Sequence, residues 1–279
     1  MSKSFQQTVT PKNNLLIIDG FNLAFRYKHS NKRNFAAEYV TTVQSFAHSY
    51  EASKVIVLSD GGSDYRRNLY PEYKASRKAL KAEQSQEDKE AFELFMEDWD
   101  VAFQLCNTVA DTIKYIGVEA DDIAAYLALH KELRDKYNHI WLLSTDRDWD
   151  LLVDEKVSRF TYRTRKEITH DNWSEHYGYS PDEHLSVKVL QGDKSDDIPG
   201  VAGIGEKRAA TLVREYGTAF DILANLPIND KKVYIQNLNK FGDQILTNYE
   251  LMDLESHCEE AIGKNIDDLN KRIEEIIKT

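Results

Sequence analysis

Cysteine is nearly absent: 279 residues carry only Cys106 and Cys258. Two thiols without metal-site spacing give neither a disulfide framework nor a zinc site, and Cys106, inside a helical pattern, reads as packing. Long apolar runs are missing as well. No segment approaches the roughly 20 apolar residues that cross a bilayer, and the opening MSKSFQQTVTPKNN has no secretory core. A cytoplasmic protein without membrane contact is expected, its first dozen residues polar and loose. Internal repeats and low-complexity tracts are lacking too, which excludes a solenoid. Finally, there is no basic surplus. Lys and Arg number 36 against 47 Asp and Glu, a net charge of −11, which argues against a general nucleic-acid binder. That objection weakens if the acids gather in one site and the bases in another, so their distribution matters more than their sum.

The remainder is ordinary for a globular protein, 41% hydrophobic and 30% charged. Leu15 to Ile18 reads as a buried strand running into a turn at Asp19-Gly20, and Val55 to Leu58 as a second, closed by Asp60-Gly61-Gly62. HIWLLSTD, from His139, reads as a third that ends at Asp146. Helical patterns cover about Glu38 to Tyr50, about Glu87 to Cys106 and the acid-led GVEADDIAAYLALH. Alternating strands and helices predict an α/β fold with a mainly parallel central sheet. From about Ser180 short helices with Gly-containing turns take over, placing a soft boundary near residue 180. Phe92, Phe95, Trp99 and Phe103 share one helix face and read as packing.

Three strands stopping at Asp19, Asp60 and Asp146 put those acids on one sheet edge, where α/β proteins hold ligands. Glu119, Asp121 and Asp122 join from a helix start, where amide dipoles favour negative charge. Asp148, then Asp193, Asp196 and Asp197 of GDKSDD, extend the set. Any one of them alone reads as a turn or cap residue; together they need compensating cations. An all-oxygen set selects Mg²⁺ or Mn²⁺ over Zn²⁺, and a pair of such ions suits phosphodiester hydrolysis. Asp150 reads as a cap or solvated residue, and Trp149 as packing.

The hidden basic patch is YRRNLYPEYKASRKALK, Tyr65 to Lys81. Lys74 and Arg77 share a face if helical, and Tyr73 beside them is placed to stack on a base. Arg26 and Lys28 are weaker candidates. In GVAGIGEKRAA, Gly203 and Gly205 let backbone amides approach an anion at a helix start, with Lys207 and Arg208 following. This is the pattern of a helix-hairpin-helix that grips duplex phosphates without reading sequence.

IIDGFNL, PEYKASR, GVEADD, STDRDWDLL and GDKSDDIPGVAGIGEKRA occur in the order found in 5′ nucleases. The chain resembles that family, the flap endonucleases and the 5′–3′ exonuclease domains of bacterial DNA polymerases, and is most similar to the bacteriophage flap endonucleases. The resemblance implies a PIN-like core over residues 1–180, with a helical arch over about 74–106 through which a 5′ single strand threads. It also implies a helix-three-turn-helix, within a duplex-binding region over 181–279 intertwined with the core, that in many members holds K⁺. Asp19, Asp60, Glu119, Asp121 and Asp122 match one group of metal carboxylates; Asp146, Asp148, Asp193 and Asp196 match the other. Lys74 and Arg77 match the basic pair at the scissile phosphate, Tyr73 its aromatic neighbour, and Gly203, Gly205, Lys207 and Arg208 the duplex clamp. The implied activity is structure-specific 5′ cleavage of branched or 5′-flapped DNA by two Mg²⁺ ions, by a monomer in a bacterial or phage-infected cell. Where bacterial relatives read Asp-Asn-Ile-Pro, this chain has Asp196-Asp197-Ile198-Pro199, a further carboxylate expected to bear on the second ion. Two alternatives are a PIN-like ribonuclease, which would prefer single-stranded RNA, and a catalytically silent junction binder, which would leave DNA intact with Mg²⁺.

Overall fold

In this computed structural model, which describes residues 13–278, β1 (Asn14–Asp19) lies inside a six-stranded sheet. Helices α1 (Gly20–His29) and α2 (Ala36–Ser49) lead to β2 (Ala52–Leu58). Three more follow, α3 (Asp64–Leu69), α4 (Ala75–Glu83) and α5 (Gln86–Cys106), before β3 (Asp111–Ile113). Then come α6 (Ala120–Leu129), α7 (Lys131–Lys136), β4 (His139–Leu143), β5 (Val157–Thr161) and β6 (Lys166–Ile168). The order across the sheet is β3-β2-β1-β4-β5-β6, parallel except where β6 pairs antiparallel with β5. The mainly parallel sheet expected from the sequence is therefore observed. The N-terminal dozen lie outside the described residues.

Strand β1 is buried on both faces, as a strand covered by helices on each side must be. Leu15 and Ile17 join Ile56, Leu58 and the apolar residues of α6 in one core. Leu16 and Ile18 join Val55, Val57 and the ring-rich face of α5 in the other. Phe95 and Trp99 are almost wholly buried there, each contributing about 1.5–3 kcal/mol by leaving water. Helix α5 starts cleanly because Ser85 accepts from the Asp88 amide at 3.0 Å and Glu87 and Asp88 suit the first turn. Gly20 is required by close approach: a Cβ there would lie 2.6 Å from the Leu58 carbonyl oxygen.

Beyond the sheet, α8 (His184–Gln191), α9 (Glu206–Tyr216), α10 (Ala219–Ala224), α11 (Val233–Asn239) and α12 (Gly242–Met252) build a third core. The last helices, α13 (Leu254–Ile262) and α14 (Ile266–Lys278), turn back. Their Leu254, Ile262, Leu269 and Ile273 pack into the core beneath α6. Among the described residues no helix is long and apolar enough to cross a membrane.

One boundary differs from expectation. Strand β4 ends at Leu143, not Asp146. Asp146 has already left the sheet to cap a 3-10 turn over Arg147–Leu152, accepting from the Asp148 amide at 3.0 Å.

Candidate active site

The carboxyl ends of β1, β2, β3 and β4 open onto one edge of the sheet, and the acids collect there. Asp19 terminates β1 and caps α1, its carboxylate accepting from the Asn22 amide at 3.1 Å and the Ser144 hydroxyl at 2.8 Å. Asp60 follows β2 and accepts from the Ala120 amide at 2.9 Å, so it serves the start of α6. A backbone bridge holds it there: Gly61 N–H donates to the Val118 carbonyl at 2.9 Å and Gly117 N–H to that of Gly61 at 2.8 Å. Asp121 accepts from the Trp149 indole at 2.5 Å, so this ring, placed in the core as expected, also orients a candidate ligand.

Asp19 is buried and Asp121 half-buried, whereas Asp60 and Asp146 are exposed at the mouth although closely surrounded by protein atoms. Burial, then the neighbouring charges of Asp60 and Asp146, push the Asp19 carboxyl up to about 8. Burial and Asp148 raise Asp146 to about 6. Asp60 and Asp121 are raised for the same two reasons, burial before neighbouring acids. Among the described residues none of these four carboxylates is ion-paired.

The remaining acids are already matched. Glu119, buried, takes the Lys74 ammonium, the Arg66 guanidinium at 2.8 Å and the Ser63 hydroxyl at 2.7 Å. Burial opposes ionisation of Glu119, but Lys74 and Arg66 outweigh it and hold the carboxyl below its usual range. Asp148 likewise overcomes burial through Lys188, whose ammonium sits at 2.5 Å. Asp196 meets Arg77 at 2.5 Å and the Tyr73 hydroxyl at 3.0 Å. Asp193 closes its own turn, accepting from the Ser195 amide and hydroxyl at 2.7 and 2.8 Å.

Two expected roles change. Asp122 faces away from the mouth and forms a bidentate pair with Arg66, both contacts at 2.8 Å and both residues buried. A carboxylate so engaged is a structural anchor, not a ligand at the rim. Tyr73 is 4% exposed, its hydroxyl on Glu119 and Asp196, so it braces acids and presents no face to a base. Of the two adjacent arginines, Arg66 is buried and Arg67 exposed. Arg66→Ala is expected to cost about 3–5 kcal/mol of stability, because Asp122 would be left charged and buried while Glu119 keeps Lys74 and Ser63. Urea unfolding measures it, and a loss below about 1 kcal/mol would show the pair to be dispensable.

Lys74 and Arg77 stand at the root of the α4–α5 hairpin, directly across from these acids. Their position supports a cationic wall. Arg26 sits on α1 beside an open cavity lined by Phe46, Phe160 and Arg165. In the third core Gly203 is left-handed (φ 86°) and Ile204 is buried, as the hairpin pattern requires. Gly205 precedes α9, and Lys207 and Arg208 are exposed on its first turn. Arg208 also donates to the Gly203 carbonyl at 2.5 Å and stacks 4.7 Å from the Tyr234 ring centre.

Sequence reading missed Lys188 and Arg159. Lys188 is a lone cation in the apolar LSVKVL, and that isolation was its signal. Arg159 is a buried strand residue whose guanidinium grips Asp150 at 2.5 and 2.8 Å and the Ser144 carbonyl at 3.0 Å. It thereby staples both ends of the segment that carries Asp146 and Asp148. Asp150, expected as a cap or solvated residue, is instead 1% exposed and fully committed to Arg159 and Tyr177.

The raised Asp19 carboxyl has a consequence for stability. Its folded pKa, about 8, lies above the 3.8 usual for a free aspartate, so the folded state holds the proton more tightly. Metal-free stability from this group is full below about pH 4 and is lost as pH rises toward 8. Asp19→Asn is therefore expected to exceed the parent chain in metal-free stability at pH 8.5 and to match it near pH 4. Urea midpoints at the two pH values check this; a gap that widens in acid would refute it.

Models of known families match nearly the whole chain. Residues 14–178 match the 5′-3′ exonuclease N-terminal resolvase-like domain, and 179–275 the 5′-3′ exonuclease C-terminal SAM fold. The flap endonuclease of Escherichia phage T5 is 43% identical over 273 residues, covering 94% of this chain and 93% of that protein. A solved structure of T5 5′-exonuclease with zinc bound superposes with a TM-score of 0.91 at 43% identity, covering 95% of this chain and 100% of the other. A variant T5 flap endonuclease, in a pseudo-enzyme-product complex with DNA and metal ions, reaches 0.90 at 42% identity, covering 96% and 100%. The acids, the cationic wall and the two-part architecture thus come together in one assignment: the chain belongs to the 5′-3′ exonuclease family.

Proposed function

We propose that the protein is a structure-specific 5′ nuclease that cuts DNA phosphodiesters near single-strand to double-strand junctions, using two Mg²⁺ ions for which Mn²⁺ substitutes. The observation that carries this reading is the unpaired quartet Asp19, Asp60, Asp121 and Asp146, held with raised proton affinity opposite Lys74 and Arg77. An all-oxygen anionic set short of cations fits a hard divalent ion. Among the described residues no three acidic, His or Cys side chains already surround a common point. Mutual repulsion explains this, since Lys74, Lys188 and Arg77 draw Glu119, Asp148 and Asp196 onto themselves. Asp19, Asp60, Glu119 and Asp121 would hold one ion and Asp146, Asp148, Asp193 and Asp196 the other.

Bound there, divalent ions lower the pKa of water and offset charge on a leaving oxygen. The chain's own residues do the rest. Lys74 and Arg77 neutralise charge that develops on the scissile phosphate. Arg159 keeps the Asp146–Asp148 segment in place. The turn at Gly203 with Lys207 and Arg208 binds duplex phosphates, fixing register without reading bases. Arg26, on α1, offers a further phosphate contact. A potassium ion at this turn would be held by backbone carbonyl oxygens, the kind of ligand such an ion takes.

Digestion of a 5′-flap, a nicked duplex and a single strand side by side, with and without Mg²⁺, tests the proposal. Cleavage confined to branched DNA with Mg²⁺ is expected. Preferred cleavage of single-stranded RNA, or tight binding without cleavage, would overturn it.

A further inference from the structure

Helix α4, which opens the arch, has no cap from its own segment. The residue before it, Lys74, is left-handed (φ 56°) and its side chain bonds no first-turn amide. The acceptor arrives instead from 121 positions along the chain: an Asp197 carboxylate oxygen takes the Ser76 N–H at 2.7 Å. Asp197 is left-handed too, at φ 60°. It lies in a tight loop closed by Asp193 N–H to the Ile198 carbonyl at 2.9 Å and Ile198 N–H to that of Asp193 at 2.8 Å. Further bonds join the same two segments. Lys74 N–H donates to the Asp196 carbonyl at 3.0 Å, and Arg77 donates to the Ser195 carbonyl at 3.0 Å and the Asp196 carboxylate at 2.5 Å. The root of the arch therefore hangs on three consecutive residues of the loop that also carries Asp193 and Asp196. Two non-glycine residues facing each other in the left-handed region persist only where the surroundings enforce them.

We infer that Asp197 is a positioning residue for Lys74: by capping α4 from outside, it locks the arch root to the carboxylate loop and so holds the Lys74 ammonium at the acids. The carboxylate is turned onto the helix amide, so its acceptor oxygen matters more than its charge. This corrects the expectation that a second Asp here bears directly on an ion. It rests on the catalytic reading of Lys74 and goes beyond it by naming what keeps that lysine in place.

The test combines hydrogen exchange at the Ser76, Arg77 and Lys78 amides with single-turnover cleavage of a 5′-flap in Mg²⁺ and binding of the same flap in EDTA, all on the full chain. Asp197→Ala is expected to speed exchange and slow cleavage, each about tenfold, the factor an N-cap is worth. Flap affinity should stay within about twofold. Asp197→Asn, which keeps the acceptor, should restore both. In a Lys74→Ala background, Asp197→Ala should slow cleavage no further. Unchanged exchange, an Asn variant that behaves like Ala, or multiplying rate losses in the double variant would overturn the inference. Failure of the underlying reading shows separately, as Lys74→Ala cutting at the parent rate whatever the exchange reports.

Discussion

Lys74→Ala is expected to slow cleavage of a 5′-flap about 100- to 1,000-fold, the range for losing one preorganised donor to developing charge. Affinity for the junction should change by less than about threefold, because an interaction made mainly in the transition state adds little to ground-state binding. The structure supports such a split. The ammonium lies among acids rather than along a duplex surface, bonded to Glu119 and 3.5 Å from Asp196. Its removal does not orphan Glu119, which keeps Arg66 at 2.8 Å and Ser63 at 2.7 Å, so the fold survives. Single-turnover rates and metal-free binding isotherms measure the two quantities independently. Matching losses in both would remove Lys74 from catalysis and leave it a plain phosphate contact.

Asp146→Asn should abolish cutting and leave the metal-free protein as stable as the parent chain or more so. Asp146 belongs to the unpaired quartet, and burial with the Asp148 charge raises its carboxyl to about 6. At neutral pH the isosteric amide removes a repelling charge while its oxygen keeps the cap on the Asp148 amide, now at 3.0 Å. Cleavage assays with Mg²⁺, together with urea unfolding in EDTA, decide it. A variant that unfolds readily without metal would mean that Asp146 serves the turn at Arg147–Leu152 and not an ion. This contrasts with Arg66→Ala, where the loss falls on stability because both partners are buried.

The parts of the site that lie on local pattern were legible. Apolar runs stopping at Asp19 and Asp60, the acid-led start of α6 and the Gly203-Ile204-Gly205 turn each follow from periodicity and turn chemistry that neighbours in sequence decide. The short strands β3 and β6 and the helices α1 and α3 were not, since three to ten residues hold too little periodicity to stand out. Tyr73 shows the limit within a motif. Its neighbours Lys74 and Arg77 reach the acids, yet the ring itself is buried, because the third core claims it.

By itself, then, the sequence determined which acids follow the apolar runs, which cations cluster, and that the sheet is mainly parallel with its acids at the carboxyl ends. Tertiary structure alone decided how the charges are shared. Glu119 and Asp122 divide Arg66, Lys188 neutralises Asp148, Asp197 caps a helix 121 positions away, and among the described residues Asp19, Asp60, Asp121 and Asp146 have no ion-pair partner. The reason is physical: a carboxylate's role depends on the burial and partners around it, and those partners come from elements distant in the chain that only packing brings within hydrogen-bond reach.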